Sequence, residues 1–417
     1  MKLIPILLTL CLNIQAIAYT IPTDASRSAS TPHLSSLKNK EVMLTWTEKD
    51  SGGMQYFYVA FSKDQGKTFS GKNLIYSHEG IGSSRLMKPK VLEKGDGTLV
   101  AVFSLRVSSN PTPQPAAASH EGHAGNHNNH AGTSQPAAPR SGGRSRDMQI
   151  VYSYSLDKGS SWSPPKTAHQ DTTAGVVRGF FDSVVLGNGE IAVAFLQDIP
   201  DQPHSRDMRL VLSQGLTFGP EKVIDDFTCD CCNISLLTDT NGYLHVYYRE
   251  NKDNIRDIAH MISKDYGQSF GPASILFPDN WQINGCPHSG PTSSTLGNGA
   301  VAAWFSGSEE APGLRVVTNN GKRLAVIGDP SAKNAQLVAI PSAAVLVWEQ
   351  AKTHGEATTS YIAYRKITSD KAADVQWLKP SQNGHSPSAI ATGNQLLVAY
   401  EVQKGDQNTI ELSSVRL

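Results

Sequence analysis

Three copies of one octapeptide do most to limit what this chain can fold into. They are Ser62-Lys63-Asp64-Gln65-Gly66-Lys67-Thr68-Phe69, Ser155-Leu156-Asp157-Lys158-Gly159-Ser160-Ser161-Trp162 and Ser263-Lys264-Asp265-Tyr266-Gly267-Gln268-Ser269-Phe270. Each joins a carboxylate that accepts backbone N–H groups within a turn, a glycine suited to a left-handed backbone, and an aromatic ring that needs an apolar wall. A shortened copy, Ser213-Gln214-Gly215-Leu216-Thr217-Phe218, lacks the aspartate. Seven apolar segments recur alongside them, at residues 42–46, 99–103, 191–195, 244–248, 301–304, 345–348 and 396–400. Most follow a glycine turn such as Gly95-Asp96-Gly97 or Gly187-Asn188-Gly189, the chemistry that connects antiparallel strands. The repeat length, roughly fifty residues, suits units of four strands. The chain is expected to be all-β.

The octapeptide pattern S-x-D-x-G-x-[ST]-[FW] resembles the Asp-box (BNR) repeat of the sialidase-like β-propellers, and the resemblance covers most of the chain. It implies a β-propeller of four-stranded blades with Asp-box turns. Seven blades are expected, six being the alternative because the repeats after Trp304 lack clear Asp boxes. Thr318-Asn319-Asn320-Gly321 reads as a decayed one. The N-terminal segment is expected to close the last blade as its fourth strand. Asp boxes of this family lie between a blade's third and fourth strands. The loops between second and third strands, and those between blades, then emerge on the opposite face, where such propellers put their sites. The residues expected to ring the channel mouth there are Met87, Lys88, Phe180, Cys232, His288 and His385, with His33 and Asp182 slightly further along their strands.

Three domain-level expectations follow from composition. Lys2, the apolar run at residues 3–12 and Ala16-Ile17-Ala18 read as a secretory signal over residues 1–18, which makes the mature protein secreted or periplasmic. Residues 19–417 then form a single propeller domain. Residues 107–143 are rich in Pro, Ala, Gly, Ser, Asn and His and read as a disordered loop inserted in the second blade. Within it His120, His123, His127 and His130 form a compositional metal-binding signal. Lys plus Arg equals Asp plus Glu at 37 each, so no basic excess supports a nucleic-acid partner. No later segment reads as a membrane span, no nucleotide or organic cofactor is implied, and a monomer is expected.

Of the five cysteines, Cys11 falls in the signal, leaving Cys229, Cys231, Cys232 and Cys286. An even count in an oxidising compartment suggests two disulfides. The same residues with His288 suggest a metal site, copper ahead of zinc, which His385 could complete across the channel and the histidine-rich loop could supply. Both readings staple neighbouring loops; only one keeps thiols. A third repeat, Arg146-Asp147, Arg206-Asp207 and Arg256-Asp257, reads first as an ion pair capping a loop.

The family resemblance implies a second function, a glycoside hydrolase with an arginine cluster for the substrate carboxylate, a tyrosine nucleophile with its glutamate, and an aspartate acid/base. Arg85, Arg178, Arg249 and Arg256 are the arginines available to the site face, with Asp182 and Tyr400 as partners. The Arg-Ile-Pro motif of such enzymes is missing, so no catalytic role is carried over. A binding scaffold for a protein or glycan is the third reading.

Overall fold

The computed structural model describes residues 19–107, 147–202, 204–355 and 357–417. Seven antiparallel sheets follow one another along the chain. Blade 1 shows the pattern, with strands Ser28–Ser36, Val42–Lys49, Gln55–Ser62 and Asn73–Ser77 paired in chain order. The first strands of successive blades touch one another around a central channel. This is the seven-bladed propeller, and the fifth to seventh blades keep the architecture although their Asp boxes have decayed.

Every one of the seven apolar segments lies in a blade's second strand, as in Val42–Lys49, Leu99–Arg106 and Gln395–Lys404. Such a strand is flanked by neighbours within its sheet and covered on both faces by adjacent blades. Continuous apolar sequence is what that environment selects, where a one-sided sheet would show alternation. The aromatic residues Trp46, Phe103, Phe195, Tyr248, Trp304, Trp348 and Tyr400 are all at most 1% exposed. An apolar cluster fills each joint between blades. The one between blades 7 and 1 unites Leu34, Trp46, Leu397 and Leu412.

Ring closure departs from expectation. Among the described residues the last blade has three strands, Gly384–Thr392, Gln395–Lys404 and Gln407–Arg416. Described residues 19–27 of the N-terminal segment do not pair with the outer one. Thr20 forms a parallel bridge with Thr68 of the first Asp box, and the Tyr19 hydroxyl reaches Ser414 Oγ at 2.6 Å. Packing and three backbone donors close the circle instead: Thr31 N to Glu401 Oε1 at 2.9 Å, Leu34 N to Ser388 Oγ at 2.9 Å, and Asn408 N to Ser28 Oγ at 3.0 Å.

The three Asp boxes are superimposable in their chemistry. In the second, Ser155 Oγ donates to Asp157 Oδ1 at 2.8 Å and accepts from Gly159 N at 2.8 Å. Ser161 donates to the same carboxylate from its backbone N at 2.9 Å and its hydroxyl at 2.6 Å. These donors favour the charged form and hold the Asp157 carboxyl down at about 2. Gly159 adopts a φ of 85°, and a Cβ placed there would lie 2.8 Å from Phe61 Cζ of blade 1. The box is therefore an inter-blade joint as well as a turn.

Two glycines separate these effects. Gly97 has the same left-handed backbone, φ 89°, with open space around it. Gly97→Ala is expected to lose about 1–2 kcal/mol from backbone strain alone. Gly159→Ala should lose about 2–5 kcal/mol, because overpacking against blade 1 adds to the strain. Denaturant unfolding of both variants checks the difference; equal losses would remove the joint from the account.

Candidate metal centre

Blade 3 ends with the outer strand Lys222–Thr228, and blade 4 begins at the channel with Ser235–Thr238. The chain crosses between them through Cys229-Asp230-Cys231-Cys232-Asn233-Ile234. Both ends of the crossing are pinned by backbone bonds, Cys229 N to Arg249 O at 3.1 Å and Ile234 N to Phe180 O at 3.4 Å. Arg206 Nη1 holds the Asp230 carbonyl at 2.5 Å. The tether turns three side chains inward. Cys229, Cys231 and Cys232 are 1%, 4% and 3% exposed, and the Phe180 ring packs against them.

The three sulfurs face one another. Sγ separations are 3.7 Å for Cys229 and Cys231, 3.4 Å for Cys229 and Cys232, and 4.0 Å for Cys231 and Cys232. A disulfide needs about 2.05 Å. All four described cysteines are free thiols, so the structure shows none of the disulfides that an even cysteine count suggests.

Electrostatics singles out one sulfur. Cys229 shares a thiol hydrogen bond with Cys231, donates one to Cys232, and has Arg256 Nη1 3.3 Å from its Sγ. Hydrogen bonding with Cys231 and Cys232, and then the Arg256 charge, hold its thiol well below the usual range despite burial. Cys231 is pushed up by its bond to Cys229 and by Cys232, and burial pushes Cys232 up to about 12. The guanidinium of Arg256 thus lies beside the one sulfur of the three whose thiol is lowered.

Arg146 lies outside the described residues, and in the other two copies of the arginine-aspartate repeat the arginine and its neighbouring aspartate take separate partners. Asp257 accepts Asn280 N at 3.0 Å and Trp281 N at 3.2 Å, while Asp207 pairs with Arg209 through two 3.0 Å bonds. The adjacent arginines turn away from their aspartates. Arg206 goes to Asp198 at 2.7 Å and to the Asp230 carbonyl, and Arg256 goes to Cys229. Sequence reasoning missed Arg256 as a thiolate partner. Its signal was the recurrence of Arg-Asp at the approach to the third strand in the two blades flanking the cysteine loop, Arg206 opening its strand and Arg256 lying just before Ile258–Ser263.

Cys286 and His288 lie on the next inter-blade loop, between Ser274–Phe277 and Thr292–Leu296. The two loops are stitched by Asn233, which accepts Gly290 N at 3.0 Å and donates to the Pro291 carbonyl at 3.2 Å. One donor atom each from Cys231, Cys286 and His288 lies within 4.8 Å of the others. Cys286 and His288 are exposed, whereas Cys231 is buried. Asp230 borders this group, 3.9 Å from Cys286 Sγ and 3.7 Å from His204 Nδ1. Burial and then the Asp230 charge raise the Cys286 thiol.

Other expected ligands sit elsewhere. His385, in blade 7, has its Nδ1 3.8 Å from Glu349 Oε1 and does not join the cysteines. His120, His123, His127 and His130 lie outside the described residues. The channel holds a cavity of about 240 Å³ lined by His33, Lys88, Asp182 and His288 of the eight residues expected there, while Met87, Phe180, Cys232 and His385 do not line it. Cys232 is buried behind that mouth, and Phe180 packs on the sulfurs.

The arginines expected for a substrate carboxylate are mostly committed to the scaffold. Arg249 is 2% exposed and donates to the carbonyls of Ser289 at 2.9 Å and 2.8 Å, Phe305 at 2.8 Å, and Arg256. Arg178 is fully buried on Gln197 at 3.0 Å and Asp171 at 3.3 Å. Arg256 serves Cys229. Arg85 alone of the four is exposed and lines the cavity. Tyr400 is buried in blade 7 with its hydroxyl 2.5 Å from the Pro380 carbonyl, out of reach of a substrate.

No protein-family model matches the chain, and no curated protein sequence does. Solved structures do. A protein of unknown function from Dyadobacter fermentans aligns at TM-score 0.54 and 15% identity over 96% of this chain and 97% of that one. An ulvan lyase of a polysaccharide lyase family aligns at 0.54 and 12% identity, covering 95% and 96%. The intramolecular trans-sialidase from Ruminococcus gnavus aligns at 0.51 and 11% identity, covering 96% and 97%. The chain has the sialidase-like propeller fold. At these identities the likeness speaks for fold and leaves function to the site.

The commitment of Arg249 is measurable. Arg249→Ala strands several buried carbonyls and is expected to cost about 3 kcal/mol or more in chemical denaturation. Arg85→Ala at the exposed rim should stay within about 0.5 kcal/mol. A freely folding, equally stable Arg249→Ala protein would return this arginine to the list of ligand-binding groups.

Proposed function

We propose that this is an exported sialidase-like propeller that binds a soft transition-metal ion, copper ahead of zinc, in the pocket of Cys229, Cys231 and Cys232. The observation that carries the reading is the spacing of the three buried sulfurs, 3.4–4.0 Å. A metal bonded to sulfur at about 2.3 Å sets trigonal ligands roughly 4.0 Å apart and tetrahedral ones roughly 3.8 Å apart. Small side-chain rotations would bring all three sulfurs onto one ion.

The ligand count supports monovalent copper. Thiolates select copper(I) and zinc over harder ions. Structural zinc takes four protein ligands. Among the described residues, no fourth Cys, His, Asp or Glu donor joins the three within the same spacing. The Arg256 guanidinium offsets part of the negative charge that three thiolates and a monovalent ion leave. The N-terminal signal fits export. In an oxidising compartment, metal occupancy would protect thiols that otherwise pair. The histidines at 120, 123, 127 and 130 would serve as a collecting segment.

The test is titration of the reduced, full-length protein with copper(I) against a chromophoric chelator, repeated with zinc. One tightly held copper per chain is expected, with zinc weaker. Cys229→Ser and Cys232→Ser should each weaken copper by at least about 100-fold, since losing a ligand exceeds the loss of a supporting contact. Failure to retain any metal, or serine variants that bind like the parent, would sink the reading.

A further inference from the structure

Cys231 belongs to two triads at once. With Cys229 and Cys232 it forms the buried pocket, and with Cys286 and His288 it forms a group open to solvent. The buried pocket presents little surface to solvent, its three cysteines being between 1% and 4% exposed. Phe180 packs on it and Arg256 occupies the side of Cys229. Cys231 is the sulfur on which the exposed pair converges. The Asn233 bonds to Gly290 and Pro291 fix the second loop against the first, so this convergence is part of the fold. Asp230 adds a carboxylate at the mouth.

Resting on the copper reading above, we propose that Cys231, Cys286 and His288 form a second metal position. Cys231 passes the ion between this surface position and the buried pocket. At the surface the ion is bonded to Sγ of Cys231, Sγ of Cys286 and the His288 imidazole. Moving inward, it keeps the Cys231 bond, breaks those to Cys286 and His288, and forms bonds to Cys229 and Cys232. Each thiol that becomes a ligand releases its proton to solvent, and the Cys286 thiolate takes one up as it leaves. Copper stays monovalent throughout, so no electron donor or acceptor is needed. Stepwise exchange of this kind never exposes a free ion, and it suits a donor or acceptor that is itself a thiol–copper(I) complex.

The experiment loads the full-length protein with one copper(I) and follows its withdrawal by excess bathocuproine disulfonate in a stopped-flow instrument. The variants are Cys286→Ser, His288→Asn and the double change. Asparagine is chosen because position 288 has a φ of 48°, which asparagine tolerates well. The double variant is expected to hold one copper as tightly as the parent but to load and release it at least about tenfold more slowly, a barrier change of about 1.4 kcal/mol. Unchanged exchange rates in a variant that still binds would overturn the relay. Loss of the tightly held copper in the double variant would also overturn it, by making Cys286 and His288 ligands of one common site. A parent protein that binds no copper refutes the underlying reading instead, which keeps the two failures distinct.

Discussion

Burial of each second strand between two neighbouring blades is the constraint on which the rest depends. Trp46, Trp304 and Trp348 are at most 1% exposed because a blade covers each face of their sheets. No blade can satisfy its apolar surface alone, so the ring must close, and it closes here by packing of Leu34 and Trp46 against Leu397 and Leu412. The Asp boxes serve the same constraint, since Gly159 meets Phe61 across a joint. With most of the core assigned to the joints, the inter-blade loops on the opposite face are left to hold chemistry.

The loops from blade 3 to 4 and from blade 4 to 5 use that freedom. Their cysteines lie where a sheet's outer rim connects to the next sheet's inner edge, held by backbone bonds at Cys229 and Ile234. That tether brings three residues close in sequence onto a common centre. Arg256 comes from the segment leading into Ile258–Ser263 and Phe180 from the preceding blade. A buried pocket of three sulfurs results. Of the three, Cys231 also lies beside the exposed Cys286 and His288.

Much of the fold was legible because its signals are local. An Asp box is a self-contained hydrogen-bond set, and the seven buried segments announce themselves by continuous apolar sequence. The decayed box at Thr318–Gly321 still turns the chain between Gly313–Thr318 and Arg323–Ile327, since Gly321 keeps a φ of 80°. Ring closure was misread because strand pairing at the ends is a tertiary choice: Thr20 found Thr68 instead of the edge of blade 7. The site was half legible. Where one cluster was expected from residue type and loop position, Cys229, Cys231 and Cys232 form one triad and Cys231, Cys286 and His288 another. His385 joins neither, because Glu349 stands beside its ring. The roles of Arg249 and Arg256 were hidden, since whether a guanidinium meets a substrate, a carbonyl or a sulfur depends on loops distant in sequence.

On the proposed reading three buried thiols, unpaired as disulfides, make one sulfur-only metal pocket. X-ray absorption at the copper edge of the singly loaded protein tests it most directly. The account predicts monovalent copper with three sulfur neighbours near about 2.3 Å and no nitrogen or oxygen in that shell. A first shell dominated by imidazole nitrogen would contradict it, because the ion would then reside on the histidines rather than on Cys229, Cys231 and Cys232.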